Sequence, residues 1–488
     1  MGFADQRDWI ARLETEGMLQ RIKAEVDPNL EISQILRQSI DRRGPAVLFE
    51  NIKGHSDTFC TKLFANGLGS KERLALMFGV PMSTSYLDMI QLLRKRLKEP
   101  IKPQIVPSGP VKENIIKGDD VDLNQVPVPF WHPKDGGRYI NTWCSVVTMD
   151  PDTGEHNVGT YRGMIVDKNR ISVVLVAMQD WGRHYSKYKL RNEPMPVAVV
   201  YGWDPSLVFV AGSPLLGNEY EISGAIRQEP VKLVKCENSD LMVPASAEMV
   251  IEGTISPDRN THEMEGPFGE FQGFYGGARK RPVIQVSCIN HRNDPVFRGN
   301  LNCMSRGATS EVGICAYVAY TASIWDILDR QGLASGVLDV VAAPWAVLKI
   351  DKYYEGHARH LAATLWGSKL SVNTLKYIVV VDQDINIRDM RDVQRAISSY
   401  ADPEKDFIVY PMKAGSAADP SLSEDEQDEV EWGNALQSKM LIDATIDWTT
   451  HPVKREFGNK RVLPICTEMP AEIEKKVLDR WKEYGFEY

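Results

Sequence analysis

Two glutamates that flank a short loop are the residues of this sequence best suited to chemistry. Glu265 and Glu270 bracket the segment Glu-Gly-Pro-Phe-Gly-Glu, and the aromatic residues Phe271, Phe274 and Tyr275 follow it. Such a turn can place two carboxyl groups and an aromatic wall around one small pocket. Burial or a neighbouring like charge would raise the pKa of one carboxyl group and make it a usable proton donor. Spacing alone is equally consistent with a surface turn that carries two solvated acids.

A single arginine offers a receptor for a carboxylate substrate. Arg162 ends the segment Asn-Val-Gly-Thr-Tyr-Arg that begins at Asn157. Its guanidinium group matches a carboxylate through two parallel hydrogen bonds. Without further context, a salt bridge at the end of a strand is the more frequent role of such a residue.

Composition and charge exclude several classes of protein. The chain has 488 residues, with 57 basic against 66 acidic side chains, and this excess of negative charge disfavours non-specific binding of nucleic acid. No apolar run approaches the ~18 residues that a membrane helix needs, and the polar first residues disfavour a secretory signal. Seven scattered cysteines without a C-x-x-C pair indicate free thiols, so we expect a cytoplasmic protein. Glycine motifs for dinucleotides or nucleoside phosphates are absent.

Hydrophobic periodicity predicts an α/β protein of three main parts joined by a helix. The middle part is rich in strands separated by turns, which favours a barrel or a strongly bent sheet. Its predicted strands include Ser172–Met178 and Leu207–Val210, and a terminal amphipathic helix is predicted over Pro470–Phe486. The predicted divisions are an N-terminal α/β segment (1–115), a β-barrel domain (116–305), a linker helix (306–332), a C-terminal α/β domain (333–460) with an acidic loop near 417–431, and a C-terminal helix (461–488).

Several motifs in one order resemble the UbiD family of reversible decarboxylases, which use prenylated FMN. The resemblance runs over nearly the whole chain, so it is far more specific than any motif alone. It implies a split β-barrel that binds the flavin, between the N-terminal α/β segment and the C-terminal α/β domain. The matching segments are Val26–Glu31, Gly118–Leu123, Val126–Pro129, Asn157–Arg162, Val234–Leu241, Val243–Ala245, Glu265–Glu270 and Ser438–Thr445.

The resemblance also implies a metal and a set of cofactor contacts. Asn157, His184 and Glu219 match the residues that hold a divalent ion at the flavin phosphate in the family. Oxygen and imidazole ligands suit Mn²⁺ or Mg²⁺, and K⁺ is expected nearby. Lys376 matches a phosphate-binding lysine. Further residues expected at the cofactor are Thr160, Tyr161, Arg162, Arg183, Ser213 and Pro214.

The family's Glu-Arg-Glu network supplies the implied catalytic roles. Arg162 would anchor the substrate carboxylate and the cofactor, Glu270 would donate the proton, and Glu265 would orient Arg162. The cofactor acts as electron sink, while the protein supplies orientation and protons. The expected reaction is non-oxidative, reversible decarboxylation of an aromatic or heteroaromatic acid with release of CO₂.

Other functions are also consistent with the sequence. They are decarboxylation of an α,β-unsaturated, acrylic-type acid, a flavin oxidoreductase on the same barrel type, and a non-catalytic assembly subunit. The expected partners are a separate flavin prenyltransferase, which supplies the cofactor, and further copies of the chain in a dimer or hexamer. The apolar face of the terminal helix needs burial, so we expect the helix to pack on another subunit or on the neighbouring domain.

Overall fold

A computed structural model describes residues 2–303, 310–342, 345–372, 374–414, 419, 421–422, 436–447 and 469–486. It confirms the mixed α/β fold with a curled middle sheet. Within these residues, no helix combines the length and the apolarity that crossing a membrane requires. The predicted acidic loop at 417–431 falls almost wholly outside them.

The N-terminal part is a small α/β layer. Its sheet has the strand order β1-β2-β3-β18, so a strand that follows the middle domain returns to complete it. The elements are α1 (Gln6–Thr15), β1 (Leu19–Ile22), α2 (Glu31–Asp41), β2 (Ala46–Phe49), β3 (Lys62–Ala65), α3 (Lys71–Met77) and α4 (Tyr86–Arg96), with β18 at Val296–Arg298.

The middle part is built on a curled sheet of nine strands. Eight of them follow the order β6-β9-β10-β17-β14-β11-β7-β8, and β5 pairs with β17. The sheet encloses a core of aliphatic and aromatic side chains. The elements are β4 (Gln104–Ile105), β5 (Asn114–Lys117), β6 (Tyr139–Asn141), β7 (Ser145–Met149), β8 (His156–Gly159), β9 (Gly163–Asp167), β10 (Arg170–Val173), α5 (Asp180–Leu190), β11 (Met195–Tyr201), α6 (Pro205–Ala211), α7 (Glu219–Arg227), β12 (Lys232–Lys235), β13 (Met242–Pro244), β14 (Met249–Ile255), β15 (Glu263–Glu265), β16 (Arg279–Arg281) and β17 (Val283–His291).

The C-terminal part is a five-stranded sheet with helices on both faces. The order is β19-β20-β21-β23-β22, and β20, β21 and β23 run parallel. Alternate residues of the strands pack towards α8 and α9 on one face and towards α10 on the other, as a buried parallel sheet requires. The elements are α8 (Glu311–Arg330), β19 (Val337–Ala342), β20 (Ala346–Ile350), α9 (His357–Gly367), β21 (Tyr377–Asp382), α10 (Met390–Tyr400), β22 (Phe407–Ala414), β23 (Leu436–Ala444) and α11 (Ala471–Asp479).

The predicted strand at Leu207–Val210 is wrong, because this segment is helical and belongs to α6. Pro205 occupies the first turn, and the side chain of Asp204 accepts a hydrogen bond from the backbone N–H of Ser206 at 2.7 Å. A capping aspartate followed by a first-turn proline is a start signal for a helix. A run of four apolar residues is too short for its periodicity to distinguish a strand from a helix. The capping signal before the run distinguishes them.

Two other predicted elements are shorter in the structure. The strand predicted over Ser172–Met178 ends at Val173, and the chain then turns towards α5. The terminal helix ends at Asp479 and continues as a 3-10 turn over Trp481–Tyr484. Its apolar side chains remain exposed, with Leu478 at 58%.

Candidate active site

Arg162 lies between the two glutamates that the sequence singled out. One guanidinium nitrogen, Nη2, donates to Glu265 Oε2 at 2.9 Å, and Nη1 donates to Glu270 Oε1. Burial alone would lower the pKa of Arg162, but the charges of both glutamates outweigh it and raise this pKa. The guanidinium group is therefore a permanent positive charge with a fixed orientation.

Glu265 is the buried member of this network. It ends β15 and has no exposed surface. Its second oxygen, Oε1, accepts a hydrogen bond from Tyr139 Oη at 2.8 Å. Burial, followed by the charge of Glu265, raises the pKa of Tyr139, so the phenol keeps its proton and remains a donor. Glu265 thus has both carboxyl oxygens engaged and is placed to orient Arg162.

Tyr139→Phe should therefore weaken the network without removing any charge. We expect a loss of about 1–3 kcal/mol in the free energy of unfolding, since Glu265 Oε1 becomes a buried acceptor without a donor. Turnover should fall as well, because Glu265, which orients Arg162, is no longer fixed by Tyr139. Denaturant unfolding measures the first effect, and the rate of the decarboxylation that the family resemblance implies measures the second. Tyr185→Phe is a matched control, since its hydroxyl donates to the backbone oxygen of Ser256 at 3.0 Å, outside the network. Equal turnover losses in both variants would contradict this role.

Glu270 is the member that reaches the cavity. Its side chain is 15% exposed and contributes to the cavity wall, whereas Glu265 does not. Only Oε1 is used by a hydrogen bond among the described residues. The other oxygen is therefore available to a bound molecule, and Glu270 is the better placed of the two acids to exchange a proton.

The cavity has a volume of about 390 Å³ and lies between the curled sheet and the C-terminal part. Its wall combines aromatic rings, glycine backbone and charged groups, which suits a flat, partly apolar ligand with an anionic end. Phe268 and Phe271 line it, whereas Phe274 and Tyr275 do not. The sequence-predicted residues on its wall are Asn157, Thr160, Tyr161, Arg162, Ser213, Pro214, Glu219 and Glu270.

Asn157 and Glu219 come from different elements to one side of the cavity. Asn157 lies in β8, and Glu219 begins α7. The backbone N–H of Val158 donates to Glu219 Oε2 at 3.2 Å, which places the carboxyl group beside Asn157. The residue Glu219 is partly exposed, but burial of its carboxyl group raises the pKa to about 7. The Asn157 Nδ2 group donates to Tyr161 Oη at 3.3 Å, which leaves Oδ1 as its acceptor atom.

His184 lies close to the same strand but behind the cavity wall. Its Nδ1 is 3.0 Å from Thr148 Oγ1, and Thr148 is the cross-strand partner of Asn157. Burial lowers the pKa of His184, so its imidazole is neutral at pH 7. Among the described residues, no three His, Cys, Asp or Glu side chains converge as a metal site.

Besides His184, two sequence-predicted cofactor residues do not line the cavity. Lys376 forms hydrogen bonds to Asp419 and Ser421, both at 2.8 Å. Arg183 is paired with Asp180 on the surface of α5. A lysine that the sequence analysis did not select, Lys369, does line the cavity.

Lys369 belongs to the C-terminal part and reaches the middle domain. It begins a short 3-10 turn after α9, and its Nζ pairs with Asp180 at the start of α5. Only the approach of two separate domains brings it to the cavity. The sequence around it carries no motif that would have found it.

Three family models cover most of the chain. They are the N-terminal, Rift-related and C-terminal domains of 3-octaprenyl-4-hydroxybenzoate carboxy-lyase, and they match residues 10–93, 104–304 and 315–444. The protein sll0936 of Synechocystis sp. is 31% identical over 99% of this chain and 96% of its own length.

Solved structures agree with this assignment. The closed form of vanillic acid decarboxylase from Sedimentibacter hydroxybenzoicus is 30% identical, with a TM-score of 0.87 over 99% of this chain and 100% of that one. An evolved dimeric form of the UbiD-class enzyme HmfF from Pelotomaculum thermopropionicum, in complex with prFMN, is 28% identical, with a TM-score of 0.77 over 98% and 99%. The chain belongs to the UbiD family of carboxy-lyases.

Proposed function

We propose that this chain decarboxylates an aromatic or heteroaromatic acid, reversibly, with prenylated FMN and a divalent metal as cofactors. The observation that carries the proposal is the position of Arg162. It is fixed between a buried glutamate and a glutamate that faces a cavity large enough for a ring. This arrangement suits the capture of a carboxylate and the return of a proton at the same place.

The residues of the cavity fit the flavin. Arg162 Nε is buried and has no hydrogen-bond partner among the described residues, so one donor of the wall remains for a ligand. Tyr161 stacks on Trp181 at 4.1 Å and forms a rigid aromatic side of the cavity. Gly159 and Gly212 bring backbone to the wall. Bound here, the prenylated flavin would supply the electron sink that side chains cannot offer.

The donor set near Asn157 fits a hard cation. An amide oxygen, a carboxylate and a neutral imidazole are ligands that Mn²⁺ and Mg²⁺ accept, and no thiolate is present among Asn157, His184 and Glu219. A cation would also compensate the buried carboxyl group of Glu219. K⁺ beside the divalent ion is proposed on the family resemblance alone. Lys369, whose positive charge acts on Glu219, is proposed to face the anionic end of the flavin in place of Lys376.

The side chains then divide the work of decarboxylation. Arg162 attracts the carboxylate of the acid through its positive charge, while its two terminal nitrogens donate to Glu265 and Glu270. Loss of CO₂ breaks the bond between the carboxyl carbon and the ring carbon, and the ring carbon needs one proton. Glu270 supplies that proton from its free oxygen, while Glu265 keeps Arg162 in position. Phe268 and Phe271 provide apolar walls for the flat ring and reduce the access of water.

The decisive experiment is a substrate panel with the cofactor-loaded enzyme. Release of CO₂ should occur from phenolic or heteroaromatic acids and should exceed that from cinnamic-type acids. A preference for cinnamic-type acids would favour the acrylic-acid alternative. Hydride transfer to the flavin from a nicotinamide donor, without CO₂ release from any acid, would favour the oxidoreductase. A cofactor-loaded protein without either activity would favour a non-catalytic subunit.

Glu219→Ala should lower the retention of flavin as well as activity, because this carboxylate would help to hold the proposed metal, whose charge would favour binding of an anionic cofactor. Glu221→Ala, two residues further along α7, is the control, since Glu221 does not line the cavity. The measurements are metal content by mass spectrometry and flavin content by absorbance after gel filtration. Full occupancy of both in Glu219→Ala would exclude this metal site.

We also propose that the chain forms a homo-oligomer, a dimer or hexamer, through its C-terminal α/β domain and α11. The support is the apolar surface of α11, in which Ile473 is 43% and Leu478 is 58% exposed. A separate flavin prenyltransferase is proposed as supplier of the cofactor, and a reducing cytoplasm as the compartment. Light scattering of the purified chain tests the assembly.

A further inference from the structure

The position of Glu270 is set by a loop whose backbone is itself held from outside. The acid loop, Pro267–Gly276, follows β15. Inside it, the N–H of Glu270 donates to Phe274 O and the N–H of Gly276 donates to Phe268 O, both at 2.9 Å. These two bonds shape the loop but do not fix its place relative to Arg162. That place depends on a second segment.

The second segment is the clamp turn, His132–Gly136, which precedes β6. Asp135 is its fourth residue, and the Asp135 side chain has no exposed surface. The carboxylate accepts a hydrogen bond from the N–H of Gly269 at 2.8 Å through Oδ1, and from the N–H of His132 at 2.9 Å through Oδ2. Gly269 directly precedes Glu270. The buried carboxylate of Asp135 therefore holds the backbone of the acid loop one residue before Glu270, the proposed proton donor.

The backbones of the clamp turn and the acid loop are in direct contact. The N–H of Gly136 donates to Pro267 O at 2.8 Å. A Cβ atom at Gly136 would lie 1.9 Å from the carbonyl oxygen of Gly266, and one at Gly269 would lie 2.3 Å from Nδ1 of His132. No side chain fits at either position, so the close approach of the two backbones at these points requires glycine. The contact is thus built for close positioning.

His132 extends the contact to another part of the cavity wall. Its Nδ1 is 3.2 Å from Asp135 Oδ2, and its Nε2 is 2.7 Å from the carbonyl oxygen of Asn302. Asn302 lines the cavity. The clamp turn therefore holds two walls of the cavity in register, although the residues of the turn do not line it.

We propose that Asp135 is a positioning residue for the decarboxylation, which acts on Glu270 by fixing the backbone of the acid loop through Gly269. The inference rests on the proposed role of Glu270 as proton donor. Without the carboxylate, the N–H of Gly269 loses its buried acceptor and the loop moves to find another. A shift of about 1 Å in a catalytic group can cost about a hundredfold in rate. Arg162 keeps its hydrogen bond to Glu265, which lies outside the acid loop, so binding should suffer less than turnover.

The test compares two buried carboxylates that do the same structural work. Glu252 also accepts two backbone N–H bonds, from Glu237 and Asn238, both at 2.8 Å, and it does not line the cavity. Asp135→Ala and Glu252→Ala would be loaded with cofactor and measured for kcat, KM and hydrogen exchange. We expect Asp135→Ala to lower kcat by about tenfold to a hundredfold with KM changed less than about threefold. Exchange should accelerate in peptides that cover the acid loop.

The control should behave in the opposite way. In Glu252→Ala, exchange should accelerate near residues 237 and 238 while kcat stays within about twofold. Asp135→Asn keeps one oxygen for Gly269 and should recover part of the lost kcat; it also serves if the alanine variant fails to fold. Normal kcat in a folded Asp135 variant, or an equal loss in Glu252→Ala, would overturn the inference. Absence of CO₂ release by the unaltered enzyme would instead contradict the proposed function.

Discussion

Glu270→Gln should lower turnover by about a hundredfold or more while the fold and the cofactor stay in place, since general acid catalysis supplies gains of this size. A glutamine keeps an oxygen that can accept the hydrogen bond from Arg162 Nη1, so the network loses no geometry. It loses the one proton that the cavity-facing acid can deliver. KM should change little, because Arg162 still captures the carboxylate.

The control for this variant lies in the neighbouring strand. Glu263→Gln removes a carboxylate two residues before Glu265 that pairs with Arg170 and does not line the cavity. It should keep normal turnover. Initial rates of CO₂ release, with flavin content measured on the same samples, compare the two variants. Near-normal turnover by Glu270→Gln would move the proton-donor role to Glu265 or to a water molecule.

The sequence was sufficient for the identity of the network but not for its geometry. Glu265 and Glu270 could be selected because they flank a Gly-Pro turn, and Arg162 could be selected because of its position in a family motif. The contacts themselves join residues 103 and 108 positions apart. No local pattern encodes these contacts, since they depend on how β15, which pairs with β16 in a separate two-stranded sheet, packs against β9 and β10 of the curled sheet.

The sequence did not reveal the residues that position catalytic side chains without lining the cavity. Tyr139 reads as an ordinary core aromatic, and only its 2.8 Å bond to Glu265 distinguishes it. For Asp135 the sequence contains only a weak indication: it lies near His132 and is followed by Gly136 and Gly137, shortly after the segment Val126–Pro129. A charged residue before two glycines usually indicates a solvated turn. Its burial against the acid loop follows from tertiary packing alone.

Two lysines show that the sequence could not specify which side chain reaches the cavity. Lys376 precedes a buried strand and matches a motif position, yet its side chain turns to Asp419. Lys369, seven residues earlier, reaches Asp180 in another domain. The sequence context of each is typical of a solvated surface lysine. Their difference depends on the relative placement of two domains, which propensity and periodicity do not specify.

The supply of cofactor should decide whether the protein has any activity at all. The chain carries no nucleotide-binding glycine loop, so we expect it not to build a prenylated flavin itself. Produced alone, it should fold, because its hydrophobic clusters are complete among the described residues without a ligand. It should nevertheless release almost no CO₂. Arg162 and the two glutamates can hold a carboxylate and deliver a proton, but they offer no sink for the electron pair left on the ring carbon.

Co-production with a flavin prenyltransferase should restore activity and change the flavin spectrum together. Mass spectrometry of the bound flavin, the absorbance spectrum and CO₂ release would be recorded on the same preparation. A matched preparation of Glu270→Gln should gain the same flavin without the activity, which separates cofactor loading from proton transfer. Robust decarboxylation by protein that carries no flavin, or only unmodified FMN, would contradict this prediction. The chemistry would then have to come from a metal at Asn157 and Glu219, and removal of that metal by a chelator would abolish it.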